Sequence, residues 1–411
     1  MAPGQGRGDD LGVSAGTVRP AADAGPARAG WSALRAVAMV GAATVLYFLG
    51  IGLLIPEVPR FLAGPLHQGD PVVGASVAVF SVAAVAGRLP LVRVGDRLSP
   101  RSMLAAGAVM VTAGDLLVAA VPSLASVFVM RVMGGLGDAL FYTAAVSAVI
   151  GAVRPELVTR AVSGLTTCMF AGMLAGPVAG EAIRSASGYQ PVWWAAAVCS
   201  AMAAGGAAAP AARRTGPATA PIGSAALLRR IALPLGLYVI ASVGLAGYTS
   251  YLPLYAGQFG QRSVAPEFAV LAGGTALARP AAGLLVGRVG QRAAVVGLLA
   301  AEGAGLALAA AWHSAAGLLA AAALLAAAQA LGLPVFILLA AGCLPAGGRT
   351  SAVAALTTGY DIGYGAAAAW LGPVAGRAGY PTMFLAAALM TGCGAALALR
   401  IGHSFQRRER E

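Results

Sequence analysis

The chain has 411 residues, 59% of them hydrophobic and only 10% charged, with a mean hydropathy of +0.80 and a net charge of +12. Globular proteins carry about 25% charged residues, so this composition excludes an ordinary soluble protein. All 27 basic residues are arginine and no asparagine occurs, which excludes P-loop, pyridoxal-phosphate and Schiff-base chemistry together with N-glycosylation.

Residues 1–30 are rich in Gly, Ala and Pro and lack the apolar core and cleavage site of a signal peptide, so a disordered tail is expected. Twelve apolar segments follow, each near the ~20 residues a helix needs to cross ~30 Å of hydrocarbon. The first six are 34–55, 72–91, 102–121, 124–150, 160–183 and 189–209, the second opened by a cap residue and a first-turn proline, Asp70-Pro71. A Pro/Gly/Arg stretch, 210–230, separates these from 231–256, 265–286, 293–312, 315–341, 351–374 and 380–401. The expected architecture is an all-α membrane protein: six-helix bundles at 31–209 and 231–402, a linker at 210–230, and tails at 1–30 and 403–411.

Cytoplasmic loops collect Lys and Arg. With both termini inside, 21 of the 27 arginines fall in inner loops and tails, Arg60, Arg184, Arg262 and Arg377 fall in outer loops, and Arg131 and Arg279 fall within segments. The basic balance therefore reads as orientation in the cell membrane with both termini cytoplasmic, and no nucleic-acid partner is expected. Trp31, Trp193, Trp194 and Trp312 lie at segment ends, where an indole suits the headgroup level. Cys168, Cys199, Cys343 and Cys393 read as small buried hydrophobes; with no CxxC pair and no histidine at ligand spacing, no metal site is expected.

The two halves of the chain match each other. Arg88–Arg101 aligns without gaps to Arg279–Arg292 at an offset of 191, as do Leu165-Thr166-Thr167 to Leu356-Thr357-Thr358 and Gly188-Tyr189 to Gly379-Tyr380. The pentapeptide GPVAG occurs at Gly176–Gly180 and Gly372–Gly376, shifted by 196, which implies a five-residue difference inside the eleventh segment. Two six-helix halves around a midplane site are the general plan of alternating-access transporters.

The chain resembles the major facilitator superfamily over about residues 33–402. The loop from Val92 to Arg101 resembles its motif A, keeping Asp96, Arg97 and Arg101, with Val92 and Ser99 in place of the two glycines. In the second copy Arg288 is kept and the acidic position is Gly287. Arg131–Leu140 resembles motif B through Arg131, Gly135 and Gly137, with Gly134 and Asp138 as departures. Ser163–Glu181 resembles motif C of proton-driven exporters through Gly172, Gly176, Pro177 and Gly180. The resemblance implies a cytoplasmic gate built from Asp96, Arg97 and Arg101, with Arg88, Arg279 and Arg288 beside it, whose bonds break when the halves rock. It also implies that Gly172, Gly176, Pro177 and Gly180 bend a helix, as Gly372, Pro373 and Gly376 do in the second half.

A charge inside the bilayer costs about 2.5–3.5 kcal/mol on insertion scales, so Asp115, Arg131, Asp138, Glu302 and Asp361 are candidates for function. Arg131 and Asp138 share a helix face about 10.5 Å apart at ~1.5 Å per residue, either as a titrating site or as a structural pair. Asp361, in TTGYDIGYG, is the second proton or substrate candidate. Asp115 and Glu302 fall in segments that the family places outside the bundle and read as packing partners or a lateral polar patch. Tyr47, Tyr248, Gln329 and Tyr360 are candidates for lining a mostly apolar cavity, together with Tyr238 and Trp370.

The expected function is proton-coupled efflux of a small, partly apolar metabolite or drug by a monomer. The proton gradient is the driving force and there is no cofactor. Sugar or metabolite uptake by symport is the alternative. An enzyme would need a nucleophile–base or metal constellation at membrane depth, and no histidine lies there; a receptor would need a sizeable soluble domain.

Overall fold

The computed structural model describes residues 26–94, 98–208, 225–344 and 349–408. Its helices are α1 (Pro26–Ala63), α2 (Asp70–Val94), α3 (Pro100–Ala120), α4 (Leu124–Ala152), α5 (Val158–Ser187), α6 (Tyr189–Ala203), α7 (Ala225–Gln258), α8 (Ala265–Val289), α9 (Gln291–Ala311) and α10 (Ala315–Gly342). The last helical stretch, Arg349–Arg408, is two helices, α11 (349–378) and α12 (380–408), meeting at Gly379 with φ 81° and ψ 164°. Gly188, between α5 and α6, has φ 81° and ψ −168°. The two residues are 191 apart, and a side chain would be strained at either. Twelve membrane-length helices thus occupy the described residues, with no strand among them.

Boundaries extend past the apolar segments, because a helix satisfies its own backbone whether or not its side chains meet lipid. α1 starts at Pro26, inside the expected tail; α7 starts at Ala225, inside the expected linker, of which 210–224 lie outside the described residues; and α12 continues to Arg408. Serines cap where the chain turns back. Ser123 and Ser126 form a reciprocal capping box at α4, Ser99 caps α3 ahead of Pro100, and Ser314 caps α10.

Helix pairing in α1–α6 recurs in α7–α12: α1 packs on α5 as α7 packs on α11, α3 on α4 as α9 on α10, and α2 on α4 as α8 on α10. Between the two sets, α2 meets α11, α5 meets α8 and α1 meets α7. Successive helices alternate in direction, so the bundle has a tail face, where α1 begins, and a far face.

The apolar cores reveal how the sets are joined. At the far face one core runs through both, from Leu53, Phe61 and Trp193 to Tyr248, Tyr255 and Phe384. At the tail face there are two cores, one around Val40, Phe48, Met103, Phe141 and Leu165 and the other around Ile231, Leu237, Val295, Phe336 and Leu356. The molecule is closed at the far face and split at the tail face.

Interiors account for some departures from expectation. Trp193 is buried against Phe61 at a ring separation of 5.3 Å, whereas Trp194 and Trp312 are half exposed as interfacial residues would be. Cys168, Cys199 and Cys343 are only partly buried and Cys393 is exposed, on faces that an apolar solvent can cover as well as protein can.

Candidate functional site

The centre of the molecule is an ion triad. Arg88 of α2 donates to Asp138 of α4 at 2.7 Å through Nη2 and to Asp361 of α11 through Nη1. Its side chain is 17% exposed, against 9% and 19% for the two carboxylates, so all three are withdrawn from solvent without being sealed. Glycine lets the helices carrying them approach. A Cβ on Gly135 would sit on the Phe80 carbonyl oxygen and 2.8 Å from Ala83 Cβ, and one on Gly87 would lie 2.9 Å from Ala139 Cβ, so α2 and α4 touch backbone to side chain on either side of the triad. The Asp138 bond stays within the first helix set; the Asp361 bond crosses to the second.

Arg88 was expected at the cytoplasmic gate, and its position corrects that reading: the side chain is drawn inward by two carboxylates that lie 50 and 273 residues away in sequence. Arg131 is likewise not the partner of Asp138. It lies within electrostatic reach of Asp115 on α3, and its Nε makes no hydrogen bond among the described residues. Asp115 and Glu302 are 1% and 0% exposed, so neither forms a lateral, lipid-facing patch. Glu302 packs against Gly244, whose Cβ position is 2.5 Å from its Oε1.

Of the other expected gate residues, Asp96 and Arg97 lie outside the described residues, Arg101 is exposed in the first turn of α3, and Arg288 is exposed in the last turn of α8. Arg279, midway along α8, has its guanidinium carbon 4.3 Å from the ring centre of Phe170 on α5.

Gly172, Gly176 and Gly180 all face α1. A Cβ on Gly176 would be 2.5 Å from Gly52 Cα, and the other two would strike the carbonyls of Val45 and Leu53. α5 is helical through Pro177, and the three glycines set its spacing from α1. Gly372 and Gly376 do something else: they face the start of α2, beside Asp70 and Pro71. Gly363, 191 residues after Gly172, meets α7 at Val239 and Ser242, and Gly359 meets it at Leu235. The five-residue difference inferred from GPVAG therefore does not exist, and the offset of 191 holds through α11. α10 has a helical break at Gly332, which leaves helical geometry (φ −3°, ψ −127°) two residues before Pro334.

Of the cavity candidates, Tyr248 is fully buried and donates to the Leu318 carbonyl at 2.7 Å, tying α7 to α10. Tyr47 is also buried, stacked on Phe141 at 3.9 Å, and its hydroxyl has no hydrogen-bond partner among the described residues. Gln329 and Tyr360 are partly accessible, and Tyr238 and Tyr360 pack at 5.7 Å.

Near the far face lies a second charged cluster, absent from the sequence-based expectations. Arg60 pairs with Glu181, and Arg184 reaches Glu181 at 2.8 Å and Glu57 at 2.9 Å, both glutamates being fully buried. Arg184 also donates to the Arg262 carbonyl beyond α7 at 2.8 Å, and Tyr380 of α12 donates to Asp70 of α2 at 2.7 Å. The i, i+3 spacing of Glu57/Arg60 and Glu181/Arg184 carried the signal.

Twelve spanning helices, internally duplicated and split at one face around buried charges, define a multi-pass membrane transporter. A model of the Major Facilitator Superfamily matches residues 40–273, more than half the chain, and the protein belongs to that family. Multidrug resistance protein 2 of Bacillus subtilis (strain 168) is 24% identical over 151 residues, which are 37% of this chain and 38% of that protein. Among solved structures, a mutant form of the nucleoside transporter NupG superposes with a TM-score of 0.73 at 14% identity, covering 89% of this chain and 99% of that one. A POT family transporter in complex with a thioalcohol-conjugated peptide gives 0.72 at 10% identity, covering 90% and 96%. The protein is a transporter and not an enzyme.

Proposed function

We propose that the protein exports a small, partly apolar compound in exchange for protons, its two six-helix sets rocking about the buried triad. The Arg88 guanidinium shared between Asp138 and Asp361 carries this reading, because one of its two bonds joins the moving parts. The arginine distribution supports a cytoplasmic tail face, and on that orientation the described conformation is open to the cytoplasm. In that state both carboxylates are bonded to Arg88. A proton on Asp361 removes the charge that holds Arg88 across the interface and frees the helices to move. Losing that proton in the cytoplasm-open state restores the bond, which holds the empty carrier until substrate arrives. Protons and substrate thereby travel in opposite directions. The likeness to a protein called a multidrug resistance protein favours export of apolar compounds over uptake.

Purified protein in liposomes under an imposed proton gradient tests this, with a compound library as cargo. Asp138→Asn and Asp361→Asn are expected to abolish proton-driven accumulation while Asp361→Asn still equilibrates substrate downhill. Proton-driven accumulation at the wild-type level in both variants excludes the triad from coupling.

A further inference from the structure

The offset of 191 carries more than the loops. It places Tyr47, Arg88 and Asp138 of α1, α2 and α4 onto Tyr238, Arg279 and Gln329 of α7, α8 and α10, and it places Asp361 of α11 back onto Phe170 of α5. The contacts repeat along with the positions. Arg88 meets Asp361 across the interface, and Arg279 meets Phe170 across the same interface on its other side, between α5 and α8. Both tyrosines are buried, Tyr47 at 0% and Tyr238 at 7% exposure.

The two copies differ in one respect. The first retains both carboxylates, whereas the second has a glutamine and a phenylalanine in their places. Arg279 makes no ion pair among the described residues, and its buried Nε has no hydrogen-bond partner. A guanidinium at membrane depth without a counter-ion is costly, and a fork of N–H donors lying on an aromatic face suits a planar anion. Gln329 stands one turn ahead of the α10 break, its Oε1 3.6 Å from the Cβ position of Gly332. It is a neutral polar group that leaves the arginine's charge uncancelled.

We propose that Arg279 is the receptor for the anionic group of the transported compound. The substrate is an organic carboxylate with a flat apolar body; its carboxylate is the counter-ion that the second copy lacks, and its ring extends along Phe170. This rests on the reading of the protein as a carrier with a central site, but not on proton coupling.

The test is binding without any gradient. Purified protein is scanned for melting temperature with matched series on one skeleton: benzoate, benzamide and benzylamine, then indole-3-acetate, indole-3-acetamide and tryptamine. The carboxylates are expected to raise the melting temperature where the amides and amines do not. Affinity is expected to fall at least tenfold in Arg279→Gln and to be only partly kept in Arg279→Lys, whose ammonium supplies the charge without the planar fork. Gln329→Asp, which restores the carboxylate that the first copy carries at Asp138, is expected to abolish binding in a folded protein. Amides or amines equalling the carboxylates, no effect from any carboxylate, or carboxylate binding intact in Arg279→Gln or Gln329→Asp overturns the proposal. Because no gradient is present, those failures leave proton exchange standing. Loss of proton-driven export with carboxylate binding intact removes the coupling alone.

Discussion

At the residue scale, glycines and a few charges decide the structure, and they differ sharply in what surrounds them. Gly176 has no room for a side chain against Gly52, while a Cβ on Gly164 of the same helix meets nothing within 4 Å. Gly176→Val is expected to destabilise the protein by about 2 kcal/mol or more through overpacking. Gly164→Ala is expected to be neutral or to stabilise by about 0.5–1 kcal/mol. Melting temperatures of the two variants in detergent check the contrast, and equal effects would contradict the assignment of Gly176 to the α1–α5 contact. Composition and depth identified Asp138 and Asp361 as candidates, because a membrane charge stands out in an apolar segment. Their partner was not legible. Arg88 lies near the end of its helix beside Arg93, and only the folded chain shows its guanidinium reaching back into the centre. The Glu57, Arg60, Glu181 and Arg184 cluster was hidden differently: two arginines near helix ends look like loop charges until their glutamates are seen to be fully buried.

At the scale of elements, α2 against α11 is the decisive pair. Gly372 lies at Asp70, Gly74 at the Ala368 carbonyl and Gly365 at Ser81, so the helices touch from the far face down to the triad. Asp70 Cβ is 3.9 Å from the Cβ position of Gly376, which is disulfide distance. In a background lacking the four native cysteines, Asp70→Cys with Gly376→Cys is expected to cross-link readily under oxidation. The cross-link should stop transport until reduced. Efficient cross-linking with undiminished transport would show that this contact does not open in the cycle. The duplication was readable from sequence because the glycine-tyrosine turns and arginine loops are constrained by backbone geometry. GPVAG misled for a physical reason: small residues recur wherever helices approach closely, and the two copies approach different neighbours.

At the scale of the whole molecule, the number of helices and their duplication followed from hydropathy and repeat spacing. The conformational state did not. Which face is closed depends on whether apolar cores merge across the two sets, and a core that joins Leu53 to Phe384 is invisible in either segment alone. The merged core at the far face, with the Tyr380–Asp70 and Arg184–Arg262 bonds over it, gives this state its own set of contacts. In the proposed exchange, the Arg88–Asp361 bond is the contact between the sets that a proton on Asp361 releases.

The most direct measurement is therefore the tail-face opening as a function of that bond. Spin labels at Arg154 and Gly342, beyond α4 and at the end of α10, report the separation of the two sets by pulsed electron resonance in the cysteine-free background. Asp361→Asn, isosteric with the acid and uncharged, should move the population from the long distance toward a shorter one, and lowering the pH should do the same to the wild type. An unchanged distance distribution in the variant, with the wild type insensitive to pH, would contradict the claim that the buried triad governs the rocking of the two sets.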